Sequence, residues 1–346
     1  EYYLKTGNWA KAMEYYRQAL NVREALLGVT AGKTADSYNN LGNCFLESGD
    51  YQQALRYHLR AKELRDLLLP SEHPDLAVSL NNLGSCYLFL GNYAESIRLY
   101  QEALDLRIGV LGERHPKTAQ VHNNLGRAYL ESGNYEQALQ HLKQALDIRN
   151  EQFGEGHPAL APLYENIGDV LLDQFEVREA ETYFRQAETL YTEDKPSEKA
   201  AVQHKIGLCL QARGEAEEAV RLHLEALAVF EKQYGMSHPY LAPVLSNLGN
   251  GFLHQGQYRE ALPYLKRASG IFHKVYPAGH PDLAQCLNSI ALCHLQLKQP
   301  YTAIAVLKEV TTLLQNREVY TLEGEALALK HQAMAESALG RPKAAL

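Results

Sequence analysis

The sequence predicts an all-α protein built from tandem helical hairpins that stack into a right-handed superhelical solenoid. Three observations lead to this prediction: a short motif recurs about every 42 residues, a glycine follows it at a fixed distance, and a His-Pro pair precedes it. Sustained polar–apolar alternation, which would indicate β-strands, is missing from the sequence. At 346 residues the chain exceeds the usual size of one core, whereas a repeat array extends its core in one dimension.

The repeated motif is Asn-Asn-Leu-Gly or a close variant. Its last residue, the anchor, falls at Gly42, Gly84, Gly126, Gly168, Gly207, Gly249, Ala291 and Ala333. A fixed period of this length is the signature of a repeat architecture. We therefore predict one array over residues 1–346. It divides into a partial repeat 1–32, full repeats at about 33–72, 73–114, 115–156, 157–195, 196–237, 238–279 and 280–320, and a partial repeat 321–346.

Turn and start signals divide each repeat into two helices. Glycine suits a tight turn because it adopts positive φ without strain, and proline is favoured at the first position of a helix. Helix A is predicted from each His-Pro to the glycine turn, and helix B from the turn to the next loop. The turn glycines are Gly49, Gly91, Gly133, Gly214, Gly256 and Gly340, with Gly7 as the first copy. The His-Pro pairs begin at His73, His115, His157, His238 and His280.

Composition argues against several classes of function. The net charge of −7 is unfavourable for binding nucleic acid, which requires a basic surface. No apolar run approaches the roughly 18 residues that would indicate a membrane span. The five cysteines suit a reducing compartment, so we expect a cytoplasmic protein.

Catalysis is not predicted either. The His-Pro histidines lie one repeat apart, on the order of 10 Å for packed helices, whereas zinc ligands lie at about 2 Å from the metal. Four cysteines, Cys44, Cys86, Cys209 and Cys293, follow the anchor by two residues, where other repeats carry small residues, so this is a packing position. We expect no enzymatic activity, no cofactor and no metal.

The motifs carry a family resemblance. Leu-Gly-x-x-Tyr, Gly-x-Tyr-x-x-Ala and a later Ala resemble the tetratricopeptide-repeat consensus across essentially the whole chain. The 42-residue period, the stretch Ala145-Leu-Asp-Ile-Arg149 and the linker Leu111-Gly-Glu-Arg-His-Pro116 are similar to the kinesin-light-chain subfamily. The resemblance implies a concave groove that binds a peptide through helix A, at positions three residues before, one after and five after the anchor.

Those positions lie on one stripe of a helix because they are four residues apart. We select as candidate peptide-binding residues Asn39, Asn43, Asn81, Ser85, Asn123, Arg127, Glu165, Asp169, Asp173, His204, Asn250 and Asn288. An asparagine side chain offers both a donor and an acceptor, so a ladder of asparagines could pair with peptide amides. The alternative is that some of these asparagines bond to the helix backbone or to the neighbouring helix. The adjacent Asn40, Asn82 and Asn124 are expected to point into the repeat interface.

Charge on the stripe suggests the kind of ligand. Glu165, Asp169 and Asp173 form an acidic segment, which favours a peptide with Lys or Arg by charge complementarity. A solvated acidic face is the alternative. The kinesin-type groove favours acidic peptides, so this sequence departs from that pattern.

The sequence therefore predicts a scaffold or adaptor that holds a protein or peptide partner. The alternative function is a regulatory sensor that controls an effector domain outside this segment. Because Glu1 and Leu346 both fall inside repeats, we expect the segment to belong to a larger chain or complex.

Overall fold

The computed structural model describes residues 9–28, 31–276, 279–316 and 321–340. Gly7, proposed as the first turn glycine, lies outside these ranges. The chain forms two compact units, Glu1–Gln174 (unit 1) and Phe175–Leu346 (unit 2). Every regular element in the described ranges is a helix, so the predicted all-α fold is confirmed. The assignment of all residues to one array stays a prediction.

Helices alternate between the predicted A and B types, with even numbers for A and odd numbers for B. Unit 1 contains α1 (Trp9–Leu27), α2 (Gly32–Glu47), α3 (Tyr51–Leu68), α4 (Pro74–Phe89), α5 (Tyr93–Leu111), α6 (Pro116–Glu131), α7 (Tyr135–Phe153), a 3-10 helix (Pro158–Leu160) and α8 (Ala161–Asp173). Unit 2 contains α9 (Val177–Leu190), α10 (Pro196–Ala212), α11 (Ala216–Tyr234), α12 (Leu241–His254), α13 (Tyr258–Val275), α14 (Pro281–Gln296), α15 (Pro300–Leu314) and α16 (Leu322–Ala338).

The His-Pro pairs start A helices by capping them. The Nδ1 atom of His115 accepts a hydrogen bond from the backbone N–H of Lys117 at 3.1 Å, and His73 and His280 cap α4 and α14 in the same way. The following proline has no amide hydrogen to leave unpaired in the first turn. The predicted starts of these three helices are confirmed.

Two A helices begin later than predicted. The chain after His157 forms the short 3-10 helix before α8 begins at Ala161, and α12 begins at Leu241 instead of Pro239. Each of these repeats carries a second proline four residues after the first, Pro162 and Pro243. Proline has no N–H to donate to the carbonyl four residues back, so the first α-helical turn cannot close.

The turns between helices A and B require a left-handed residue. Gly133 has φ of 76°, as a glycine readily can. At the same position Phe175 and Lys298 adopt φ of 63° and 61°. Glycine is therefore favoured in this turn but is not essential for it.

The anchor glycines let the two helices of a hairpin meet closely. A Cβ added to Gly126 would lie 2.5 Å from Leu142 Cγ, and one added to Gly207 would lie 2.5 Å from the His223 ring. Leu142 and His223 occupy the same place on helix B, 16 residues after the anchor, and both are fully buried. The core of each of these two hairpins thus depends on a large B-helix side chain lying over the glycine.

Candidate functional site

The three predicted stripe positions form one graded surface on each A helix. Residues three before the anchor are buried or half-buried, those one after are mostly half-buried, and those five after, from Glu47 to Gln296, are exposed. We call this surface the A-helix face and describe it within each unit. Arg127 is an exposed member of the middle position.

In unit 1 the asparagines of this face bond to the next repeat. Asn82 Nδ2 donates to Asn39 Oδ1 at 2.9 Å and to Asn43 Oδ1 at 3.3 Å. Asn124 Nδ2 donates to Asn81 Oδ1 at 2.8 Å. Asn82 and Asn124 therefore lie in the repeat interface as predicted, and the carboxamide oxygens of the stripe residues are used there.

The series of hydrogen bonds between repeats continues with one more asparagine pair in unit 1, and in unit 2 it involves a histidine. Asn166 Nδ2 donates to Asn123 Oδ1 at 2.8 Å in unit 1. In unit 2, Asn247 Nδ2 lies 3.5 Å from His204 Nε2, so a histidine ring takes the place of the amide. Since each bond joins consecutive repeats, these side chains fix the register of adjacent A helices.

The predicted acidic segment borders a cavity in unit 1. Asp169, Leu172 and Asp173 of α8, together with Glu131 of α6 and Tyr135 of α7, line a space of about 430 Å³. Partial burial, and the neighbouring charge of Asp169, raise the pKa of Asp173. Three carboxylates thus line one cavity. Glu165 lies half-buried on α8, one turn before Asp169 and two turns before Asp173.

Two histidine pairs lie inside hairpins. His122 and His141 approach at 2.9 Å between their Nδ1 atoms, and His204 and His223 at 3.0 Å. One ring of each pair must donate and the other accept, so the accepting ring is neutral, and protonation of both rings would break the bond. Burial, followed by the charges of His223 and Lys205, lowers the pKa of His204 to about 3.

The remaining predicted residues are less available to a ligand. Asn288 is 2% exposed, and its Nδ2 donates to the Gly324 carbonyl of α16 at 3.4 Å. Ser85 Oγ shares a 2.8 Å hydrogen bond with the Tyr100 hydroxyl. Asn250 lies half-buried on α12. The structure thus places Asn288 inside unit 2, and it brings the acidic residues of unit 1 together.

A larger cavity, in unit 2, was not predicted from the sequence. It measures about 540 Å³, and its lining includes His204, Phe230, Tyr234, Tyr240 and Val244. A signal was present in the sequence, because an arginine recurs at the position of Phe230 in the repeats of unit 1.

The described residues contain neither a candidate metal site nor a candidate membrane span. Among those residues, no group of three or more His, Cys, Asp or Glu side chains could hold a metal ion. None of the helices described has the length and apolar character needed to cross a membrane.

Comparison with known proteins decides the family. A family model described as "Tetratricopeptide repeat" matches residues 1–66, 75–151, 133–193, 198–274 and 252–316. The chain belongs to the tetratricopeptide-repeat family. A search of curated proteins returns no match for this tetratricopeptide-repeat chain.

Solved structures agree on the fold. BtubC (BKLC) from P. vanneervenii is 19% identical with a TM-score of 0.53, covering 66% of this chain and 91% of that one. A putative kinesin light chain with nearly identical TPR-like repeats from Podosopora anserina is 24% identical with a TM-score of 0.50, covering 59% and 99%. The apo form of RapI is 15% identical with a TM-score of 0.62, covering 97% and 98%. The resemblance to kinesin-light-chain-like repeat proteins is confirmed; at these identities the likeness is one of fold.

Proposed function

We propose that this tetratricopeptide-repeat chain is an adaptor that holds a peptide segment of a partner protein on the A-helix face, with a basic side chain of the peptide in the acidic cavity of unit 1. The repeat fold is typical of protein-interaction scaffolds that carry out no catalysis. The observation that supports the finer proposal is the convergence of Glu131, Asp169 and Asp173 on one cavity of about 430 Å³.

The acidic cavity favours a cationic ligand for an electrostatic reason. The raised pKa of Asp173 means that its charged form is disfavoured by burial and by Asp169. A lysine or arginine placed between these carboxylates would relieve that cost, since opposite charges at close range stabilise each other. A carboxylate from a ligand would increase it.

The amides of Asn81 and Asn123 supply a second contact. Their Oδ1 atoms accept hydrogen bonds from Asn124 and Asn166. Their Nδ2 groups are therefore the atoms that the proposal assigns to the peptide, as donors to its carbonyl oxygens. Such contacts depend little on peptide sequence, so the basic residue in the cavity provides the selectivity.

The remaining chemistry of the chain fits a binding role. Burial raises the pKa of Cys86 and of Cys286 to about 12, so these thiols stay protonated and unreactive. The described cysteines are free, which suits the reducing cytoplasm that we infer as the compartment.

Binding of designed peptides tests the proposal. Fluorescein-labelled peptides of serine, glycine and alanine would carry a pair of lysines, a pair of glutamates or neither, and binding would be followed by anisotropy. We expect the lysine peptide to bind most tightly, with affinity falling as salt rises from about 0.01 M to about 0.15 M. Asp169→Asn with Asp173→Asn should weaken that binding about tenfold, through the loss of close charge pairs.

A matched control separates local from global charge. Glu136→Gln with Asp147→Asn removes the same charge from exposed positions of α7 and should leave the affinity unchanged within about twofold. Equal binding of the lysine and glutamate peptides, or an equal loss in both double variants, would refute the acidic cavity as the basic-residue site.

A further inference from the structure

Each of the five His-Pro histidines makes the same kind of hydrogen bond. Its Nδ1 atom accepts from the backbone N–H two residues later, at 3.1 to 3.3 Å, and the donors belong to Asp75, Lys117, Ala159, Tyr240 and Asp282. An imidazole nitrogen accepts a hydrogen bond only while it carries no proton. All five caps therefore require an unprotonated Nδ1 atom, and histidine is the side chain whose charge changes between about pH 5 and pH 8.

Protonation of such a cap has two costs at the start of a helix. The backbone N–H loses its acceptor, and the imidazolium places a positive charge at the helix end where unpaired N–H groups already point. An opened junction therefore binds a proton more readily than a closed one, so acid shifts the equilibrium toward opening. The size of this shift depends on the charges around each ring.

Two neighbouring repeats of unit 1 provide a matched comparison. His73 caps α4 and His115 caps α6, with distances from Nδ1 to the backbone nitrogen of 3.2 Å and 3.1 Å. Both helices begin with proline and are 16 residues long. The residue after the proline differs, because it is Asp75 in α4 and Lys117 in α6.

The surroundings of His73 favour a charged ring. Asp75 Oδ2 lies 3.8 Å from His73 Nδ1, so a protonated ring would gain an ion pair as it loses the cap. Arg65 of α3 donates to the Asp75 carbonyl, but its charge is paired with Asp36 of α2 at 3.0 Å. Glu72, in the linker, adds another negative charge. We therefore expect the start of α4 to tolerate acid.

The surroundings of His115 are more positive. Lys117 takes the place of the aspartate in the first turn of α6. Arg107 of α5 is buried, and its Nη1 atom has no hydrogen-bond partner. A proton added to the His115 ring would therefore join other cations at the start of α6.

The acidic residues near His115 do not offset this charge. Glu151 of α7 is paired with Arg114 of the linker. Glu113 is exposed, two residues before the ring. Within the described ranges, the ion pairs between a histidine and a carboxylate involve histidines other than His115. The protonated ring thus has no compensating partner.

The other three caps are better protected than His115. His280 has Asp282 Oδ2 at 3.6 Å from its Nδ1 atom, as His73 has Asp75. His157 and His238 stack on an aromatic ring at the end of helix B, with centroids 4.4 Å and 4.8 Å apart, and an aromatic face stabilises a cation. The corresponding residue before His115 is a leucine.

We propose that the junction between α5 and α6, closed by the His115 cap, is a pH-sensitive element that opens on acidification while the start of α4 stays closed. The α6 helix carries Asn123, Arg127 and Glu131 of the A-helix face, so opening at its start loosens the support of that surface. This pH response depends on the cap and the charges around it, and not on whether the chain binds a peptide.

Amide hydrogen exchange of the whole chain tests the proposal. Mass spectrometry would follow peptides from the first two turns of α4 and of α6. Protection factors, which correct for the intrinsic effect of pH on exchange, would be compared at about pH 7.5 and about pH 5.5. We expect protection at the start of α6 to fall by about fivefold more than at the start of α4, which corresponds to the loss of one cap.

Four variants locate the response. His115→Asn supplies a cap that does not titrate and should abolish the fall at α6. Lys117→Asp provides the missing carboxylate and should reduce that fall to the level of α4, whereas Asp75→Lys should transfer the acid response to α4. Lys143→Asp makes the same charge change at an exposed position of α7 and should alter nothing. Circular dichroism would check that each variant is folded.

The results that would overturn the proposal are specific. Equal falls in protection at α4 and α6 would do so, and so would a response at α6 that Lys117→Asp leaves unchanged. Acid sensitivity that arises from the buried pair of His122 and His141 would persist in His115→Asn, and that outcome would also count against the cap. Peptide binding at constant pH tests the adaptor proposal separately, so either proposal can fail alone.

Discussion

Substituting the anchor glycine of the third full repeat tests how the hairpins are packed. In Gly126→Ala the new Cβ would lie 2.5 Å from Leu142 Cγ and 3.2 Å from the Ala138 carbonyl oxygen. Leu142 is fully buried. Overpacking of this kind costs about 1–3 kcal/mol, and a contact this short with a buried side chain places the cost in the upper half of that range, about 2–3 kcal/mol. The better helix propensity of alanine offsets about 1 kcal/mol of it. We expect Gly126→Ala to reduce the free energy of unfolding by about 1–2 kcal/mol.

A second glycine provides the control. Gly109 lies inside α5, and a Cβ added there would meet no atom within 4 Å. Gly109→Ala should therefore raise stability by about 0.5–1 kcal/mol through helix propensity alone. Urea unfolding followed by far-UV circular dichroism measures both changes, and the two identical substitutions should move the midpoint in opposite directions.

A double variant isolates the steric contact. Leu142→Ala alone should cost about 2–5 kcal/mol because it leaves a cavity. In the Gly126→Ala background that cost should be smaller by about 1 kcal/mol or more, since the added methyl group then occupies part of the space. Purely additive effects, or a Gly126→Ala variant as stable as the wild type, would refute the proposed glycine–leucine contact.

Two more predictions concern buried polar groups. Burial lowers the pKa of His122 and of His141, and the adjacent His141 helps to lower that of His122 to about 4. The unfolded chain therefore binds more protons than the folded one below about pH 6.5, so stability should fall as pH drops from about 6.5 toward 4. Replacing both by leucine, which the preceding repeat carries at these positions, should flatten that dependence in urea titrations, and an unchanged slope would contradict it. Arg107 has a buried Nη1 without a hydrogen-bond partner. Val121 occupies the position at which the preceding repeat carries Ser79, whose hydroxyl accepts a hydrogen bond from Arg65. Val121→Ser should be neutral or stabilising, because a hydrogen bond to a charged group contributes about 1.5–3 kcal/mol. The same change beside Phe230, Val244→Ser, should cost about 1–2 kcal/mol of stability. Equal losses of stability in the two variants would count against a hydrogen bond between Arg107 and the new serine.

Much of the fold follows from short-range signals in the sequence. The period, the turn glycines and the His-Pro caps each act through a few neighbouring residues, so their positions translate directly into helix ends. The late starts of α8 and α12 follow the same logic, because Pro162 and Pro243 are visible in the sequence and block a defined hydrogen bond. The position of the turn at Lys298 follows from the period, seven residues after Ala291, whereas its positive φ does not follow from the residue type, since lysine rarely adopts that conformation.

The candidate site is harder to read from the sequence. The stripe of Asn81 and Asn123 was identifiable, but the use of their oxygens by the next repeat depends on the distance between two A helices. The cavity lined by Phe230 is formed by residues of three helices, and its volume depends on short lining side chains such as Ala201 as well as on the large ones. Sequence patterns therefore indicate the stripe, whereas the cavities require coordinates.

The amide bonds between consecutive repeats have a consequence for how such a chain can change in length. Each of the first full repeats carries both halves of the bond: the acceptor, such as Asn81, and the donor beside it, such as Asn82. A segment of 42 residues, duplicated or deleted as a block, would therefore bring or remove one donor and one acceptor together. The junction on either side would find its usual partner, so this part of the molecule can gain or lose whole copies by recombination without leaving a buried polar group unmatched.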